Sequence, residues 1–479
     1  MAWVIYALLI IPVVACVGSW LLPAQGRWIT VLAGAASFGT SLAVIPSSNA
    51  AAAGQWLRVD ALSAVFLVTV TFVYAITSIF AVGYLARAAG RKYTRRFFAG
   101  FNLFAWSMIL VPLVNNFALL WVAIEVTTVV SALLVALDDT DGSTEAAWKY
   151  VLIASLGLGV ALLGTVVLYY AGTTVLGDRY QPYFPSLLHV ASSLPKEAVR
   201  LSFVLAVLGF GTKMGLAPVH TWLPDAHSEA PTPVSAMLSG ALLAVSFYAI
   251  LRFFRVAVAA LGPAFPRDVF LAFGLASLLL AALYVASQRD LKRLFAYSSI
   301  EHMGILAIGM SFAAPIAIVG VLLQVLAHAC AKAAAFFGAG SMLRKFGTKD
   351  LERLRGGVST LPWTGPMLVL AVLALCAFPP FGIFRSEFLI VLGGLRHSST
   401  VVPAVLVVLV TLATFGITWS TTEALLTPAP PGVSRGETSV WFSVAMALSL
   451  LALLVLGVHP PSQLSDLLHR AAEELGGAT

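Results

Sequence analysis

The 479-residue chain is 60% hydrophobic and only 10% charged, with a mean hydropathy of +0.95, a balance that no water-soluble domain carries on its surface. Its apolar runs are about twenty residues long and do not alternate, so they cross a ~30 Å hydrocarbon core as helices rather than as barrel strands. The net charge of +7 clusters at loop ends, as membrane topology alone requires, so no nucleic-acid partner is inferred.

The fold class is therefore an all-α polytopic membrane protein bathed in lipid. The runs predict about fourteen spans, near residues 2–22, 28–45, 60–86, 97–115, 117–137, 148–172, 199–217, 231–253, 269–287, 294–312, 316–343, 362–395, 402–424 and 440–458. The first run lacks a basic start and reads as a retained helix, not a signal peptide. Sixteen Lys and Arg fall in one set of loops, chiefly 87–96, 287–293 and 344–355, and nine in the other, with Lys213, Lys332 and Arg385 inside spans. By the positive-inside rule the richer set is cytoplasmic, and both termini are expected on the opposite side.

Two spans are interrupted. The seventh breaks after Lys213 at "GLAP", and the twelfth breaks at "FPPFG" (378–382), just before Arg385 and Glu387. Either proline alone would be an ordinary kink, but interruptions five spans apart point to inverted repeats. The expected organisation is three leading helices (1–96), a first repeat of helices four to eight (97–260), a second of helices nine to thirteen (261–427), and a last helix with a short tail (428–479). Each break frees backbone groups that lipid cannot satisfy, so both should face protein or internal water.

Charges occur deep inside these runs. Glu125 is the lone charge of the fifth span, and Lys213 is its expected partner, since opposite charges offset the cost of burial. In the eleventh span Gln324, His328 and Lys332 recur at helical spacing and share a face. Together Glu125, Lys213, Lys332 and Glu387 carry a gross insertion cost of roughly 10–14 kcal/mol, which argues for use rather than accident. His302 is either a hydrogen-bonded structural residue or a proton carrier. Lys292 and Arg293 read as topology-setting loop charges. Asp225, His227 and Glu229 fall at the expected cytoplasmic edge, as an uptake funnel or a helix cap.

Cys16, Cys330 and Cys376 are scattered and cannot frame an iron–sulfur cluster or a zinc site. There is no phosphate-binding loop and no dinucleotide fingerprint. No cofactor is expected in this chain, so its energy source is an ion gradient or another subunit.

The run "GTKMGLAPVHTWLPDAHSEAPTPVSA" (211–236), "WVAIE" (121–125) and "QRDLKRLFAYSSIEHMG" (288–304) resemble the antiporter-like subunits shared by respiratory complex I, Mrp-type sodium/proton antiporters and membrane-bound hydrogenases, over about residues 60–424. "SSIEHMG" and "EAAWKYVLIASLG" (145–157) look most like the hydrogenase-4 component F branch of group-4 nickel-iron hydrogenase and formate hydrogenlyase complexes. The resemblance implies a proton-translocating subunit of a redox-driven complex in a prokaryotic inner membrane. Other membrane subunits and peripheral redox subunits would be its partners, and no redox chemistry would occur in this chain. It also implies a proton pathway through Glu125, Lys213, His220, His328, Lys332 and Glu387, with Asp225, His227, Glu229, Tyr248, His302, Gln324 and Arg385 as accessories. An Mrp-type antiporter subunit, a non-pumping scaffold or an inorganic-carbon-uptake subunit are the alternatives. One departure stands out: many relatives have a lysine in the eighth helix within "GxLLK", where this chain reads "GALLA" with Ala244, leaving water, Ser246, Tyr248 or another residue to bridge the half-channels. Only about twenty residues follow His459, too few for the lateral helix that braces some relatives.

Overall fold

The structure, a computed structural model, describes residues 2–47, 50–85, 90–397 and 400–476. Among the described residues, twenty α-helices follow one another with one small hairpin. The chain opens with α1 (Ala2–Leu21) and α2 (Gly26–Leu42), then the hairpin β1 (Ala50–Ala52) and β2 (Leu57–Val59). Next come α3 (Ala61–Tyr84), α4 (Arg91–Leu110), α5 (Phe117–Val135), α6 (Asp141–Leu176) and the short α7 (Phe184–His189). The first broken helix is α8 (Lys196–Met214) with α9 (Trp222–Glu229); α10 (Thr232–Met237) then runs through a π-helical turn, Leu238–Leu242, into α11 (Leu243–Leu261). α12 (Ala264–Tyr284), α13 (Leu291–Ser311), α14 (Pro315–Phe346) and the one-turn α15 (Gly357–Thr360) follow. The second broken helix is α16 (Thr364–Leu375) with α17 (Gly382–His397), and α18 (Val401–Leu426), α19 (Val440–Val458) and α20 (Ser462–Glu474) complete the chain.

Among the described residues ten helices are long and apolar enough to cross a membrane. The four other predicted spans also coincide with helix: 28–45 with α2 of 17 residues, 199–217 and 294–312 with the charge-bearing α8 and α13, and 362–395 with the two pieces α16 and α17. Helix starts follow from local chemistry. Asp60, Asn116 and Asp290 each accept backbone N–H groups at the first turn of α3, α5 and α13, and Thr140 forms a capping box with Ser143 on α6. The end of the predicted span at 86 and the start of the basic loop, 87–89, lie outside the described residues.

The protein is built inside out. Many of the buried polar and ionisable side chains lie on α3, α10–α11, α13 and α14, which are almost wholly buried, while α6 and α18 turn Leu156, Val166, Phe415 and Trp419 outward to lipid. α8 lies unusually close to α6: a Cβ on Gly209 would stand 2.4 Å from the Ala161 nitrogen. α17 approaches α14 in the same manner, a Cβ on Gly320 meeting the Ser386 carbonyl at 2.9 Å. Small residues at such crossings let backbones approach, and here they press each broken helix against a continuous one.

Candidate functional site

At the first break Gly215 adopts φ 90° and its N–H bonds to the Gly211 carbonyl, a left-handed cap that ends α8 one residue after Met214. Trp222 Nε1 donates to the Thr212 carbonyl at 2.7 Å and Ser277 Oγ accepts from the Ala217 N–H at 2.8 Å. Protein groups thus satisfy backbone atoms that the break exposes. Ala217–Pro218 is cis, as is Pro379–Pro380 in the second break. Lys213 sits in the last turn of α8, where the helix dipole favours a cation.

Lys213 is fully buried. The expected contact with Glu125 is corrected: Nζ donates instead to Thr128 Oγ1 at 2.5 Å, one turn further along α5, and lies 5.3 Å from the Tyr150 ring centre. Glu125 Oε1 accepts from Ser155 Oγ at 3.1 Å, and its Oε2 is buried without a partner. Lys213 and Glu125 therefore make no direct ion pair, each being held by a hydroxyl. The reason is rotational: α5 turns Thr128, not Glu125, toward the end of α8.

Beyond the break His220 is 6% exposed with Nδ1 unpartnered. Asp225 and Glu229 do lie at the rim, but in ion pairs: Asp225 with Arg293 at 2.5 Å and Lys149 at 3.3 Å, Glu229 with Lys349 at 2.7 Å. His227 departs from its expected place at the edge. It is fully buried, its ring stacks between Trp222 and Phe336 with centroids 6.5 and 5.4 Å away, and neither ring nitrogen has a partner. Lys292 is likewise no loop charge: it is 2% exposed and donates to the Ser228 and Ala230 carbonyls at 3.0 and 2.5 Å. α13 begins at Leu291, so its first turn tucks beneath the end of α9 and neutralises carbonyls left free there.

The second half holds a longer run. Lys332 Nζ donates to the Phe295 carbonyl at 2.9 Å. His328 meets His302 edge-on at 5.0 Å, His302 Nδ1 lies 3.1 Å from Gln324 Nε2, and Gln324 donates to Glu387 Oε1 at 3.2 Å. His302 and Glu387 themselves approach to 3.7 Å. Glu387 opens on a cavity of ≈ 330 Å³ lined also by Cys376, Phe384, Phe388, Thr411 and Thr414. Arg385 turns elsewhere, onto the Gly457 and Val458 carbonyls that end α19.

Glu301 is the residue that sequence reasoning missed. It is 2% exposed on α13, has one oxygen without a partner, and is a carboxylate whose charge acts on Lys332. Its signal was present, as the sole acid of the span 294–312 and the neighbour of His302.

Neither proposed substitute for the missing lysine bridges the halves. Ser246 Oγ bonds back to the Leu242 carbonyl of its own helix. Tyr248 OH lies at the far rim, 2.7 Å from Arg252 and 3.1 Å from Ser63 Oγ, in a cluster where Arg252 grips Asp60 at 2.6 and 2.7 Å. Ala244 is 4% exposed and surrounded by apolar neighbours.

The transmembrane-domain model of NADH:quinone oxidoreductase and Mrp antiporters matches residues 114–416, which contain both breaks and all the ionisable groups from Glu125 to Glu387. The chain belongs to this family. A second model, for the N-terminus of complex I chain 5, matches residues 53–98. This antiporter-like subunit is 36% identical over 391 residues to the hydrogenase-4 component F homolog of Methylacidiphilum infernorum (isolate V4), covering 80% of this chain and 82% of the other. Its fold is that of a chain in the archaeal membrane-bound sulfane sulfur reductase, a respiratory membrane complex (TM-score 0.88, 19% identity, 98% and 97% of the two chains). A chain of the Mrp complex from Dietzia sp. DQ12-45-1b is similarly close (TM-score 0.86, 19% identity, 99% and 98%). The antiporter-like subunit is thus a multi-pass membrane protein whose buried acids, bases and hydroxyls run from one broken helix to the other.

Proposed function

We propose that this chain translocates protons as a membrane subunit of a redox-driven complex of the group-4 nickel-iron hydrogenase or formate hydrogenlyase type. The observation that carries this reading is the run of ionisable groups between the two breaks, six of them buried and the two end glutamates half-buried: Glu125 and Lys213, then His227, then Lys332, Glu301, His328 and His302, then Glu387. A buried charge costs several kcal/mol, and such a series strung across a membrane protein is explained by proton transfer. Protons enter near Glu125, are held on Lys213, pass sideways through His227 to the α13–α14 cluster, and leave by the cavity beside Glu387. Electron transfer takes place in partner subunits, and no cofactor is bound here.

Fourteen crossings and inverted repeats belong to the same reading. Support comes from matched features: each repeat has a broken fourth helix, and each has a glutamate at the middle of its second helix, Glu125 on α5 and Glu301 on α13. Both termini then face away from the cytoplasm of a prokaryotic cell, with the Asp225–Lys149–Arg293 rim on the cytoplasmic side.

The likeness to a relative named as a hydrogenase-4 component favours the hydrogenase branch, while the likeness to the Mrp complex keeps a sodium/proton antiporter subunit as the second reading. Isolating the intact complex separates them. Hydrogenase large and small subunits that co-purify, with proton transport needing an electron donor, would support the first; sodium-dependent proton exchange without any donor would replace it by the second.

A further inference from the structure

The lysine absent at Ala244 leaves the eighth span without an acid or base except toward the rim, where Arg252 pairs with Asp60, yet a polar contact joins that span to α13 five residues before Ala244. Ser239 Oγ lies 2.8 Å from Ser299 Oγ, and both serines are fully buried. Ser299 also donates to the Phe295 carbonyl at 3.0 Å, the acceptor that Lys332 Nζ occupies at 2.9 Å. Lys332 and the serine pair therefore converge on one oxygen. On the other side, Ser235 lies one turn before Ser239 and donates to the His227 carbonyl at 2.8 Å. The imidazole of His328 rests against the Ser239 backbone.

Ser239 lies in the π-helical turn Leu238–Leu242. Such single π-turns interrupt the regular ladder of backbone bonds and are concentrated at functional sites. Interhelical serines in membranes usually serve as packing glue. Glue does not call for a π-turn, nor for an acceptor shared with a buried ammonium.

We infer that the Ser239–Ser299 hydroxyl pair carries the proton across from the His227 side to Lys332, in place of the missing lysine. The inference rests on the proton-translocating reading above. A proton arriving at Ser239 Oγ displaces that serine's own hydroxyl proton to Ser299 Oγ, and Ser299 releases its original proton to the free amine of Lys332. Each serine ends neutral with its O–H reversed, and both must rotate back before the next passage. No residue is left charged except the lysine that receives the proton.

The test uses the full chain in proteoliposomes with trapped pyranine, proton flux being driven by a potassium diffusion potential set with valinomycin. Ser239→Ala and the double variant Ser239→Ala/Ser299→Ala are expected to lower flux by about a hundredfold while eluting as monodisperse protein. Ser239→Thr retains most flux, and Ala244→Lys on the double-variant background restores it. Undiminished flux in the folded Ser239→Ala single variant, with flux abolished by Lys213→Ala, overturns the serine bridge and leaves the translocation reading standing. Undiminished flux in Lys213→Ala as well overturns both.

Discussion

Lys213 donates to the hydroxyl of Thr128 at 2.5 Å, one turn along α5 from Glu125, whose second carboxylate oxygen is buried without a partner. On the proposed function, that hydroxyl holds the lysine off the glutamate in the resting state.

Thr128→Val removes a hydrogen bond to a buried ammonium, worth about 2 kcal/mol. The variant is expected to lose that much stability and to let Lys213 settle on Glu125, slowing proton flux by about tenfold. Thr128→Ser should keep both properties. Thermal melting and vesicle flux measured on the same preparations check the pair of outcomes.

On the proposed repeat, Glu301 corresponds in the second half to Glu125 in the first. Glu301→Gln keeps shape and most hydrogen bonding but removes an opposite charge that acts on Lys332. Flux is expected to fall by about a hundredfold with a melting temperature close to wild type. Normal flux in Glu301→Gln would make this carboxylate a structural residue only.

At the opposite rim, burial disfavours the Asp60 carboxylate, but Arg252 and Arg255 outweigh burial and hold its carboxyl well below the usual carboxylate range. A depressed carboxyl contributes stability that is complete above its unfolded value of about 4 and is lost as pH falls further. Glu474, whose carboxyl is raised by burial and then by Asp60, works in the opposite sense, its contribution fading as pH rises. Asp60→Asn leaves Arg252 buried at 3% exposure without its anion, at a cost of about 3 kcal/mol. Melting curves from pH 7 down to pH 3 should show a lower melting temperature for this variant at neutral pH and a shallower loss below about pH 4.

Gly209 fixes how closely α8 approaches α6, and through that approach sets Tyr150 and Ser155 beside Lys213 and Glu125. Gly209→Leu has no room beside Ala161 and is expected to cost about 3 kcal/mol or more by overpacking. Yield of monodisperse protein in detergent is the measure. Gly159→Leu, on the facing helix α6 with nothing within 4 Å of its would-be Cβ, is the tolerated control.

Much of this was legible in the residues. Long apolar runs give the helices, since nothing else satisfies backbone groups in lipid, and Gly215 and Pro218 mark the first break where α8 ends. Depth was legible too, for Lys213, His328 and Lys332 are all buried. What a linear pattern lacks is the rotation of one helix against another. That is why Thr128 replaced Glu125 at the end of α8, and why Tyr248, a plausible bridge by its spacing from Ala244, belongs to the Asp60–Arg252 rim. Charge counting also misplaced Lys292, because a basic residue at a helix start looks the same whether it points to water or to the carbonyls of α9. The Ser239–Ser299 contact had no signature at all, since serine is ordinary in a membrane helix.

The central claim, that protons cross the bundle by way of the buried lysine at the first break, is tested most directly by proton flux through reconstituted Lys213→Ala at normal assembly. Flux reduced by about a hundredfold or more is the expected result. Flux equal to that of the wild-type chain, from protein that folds and assembles normally, would contradict it.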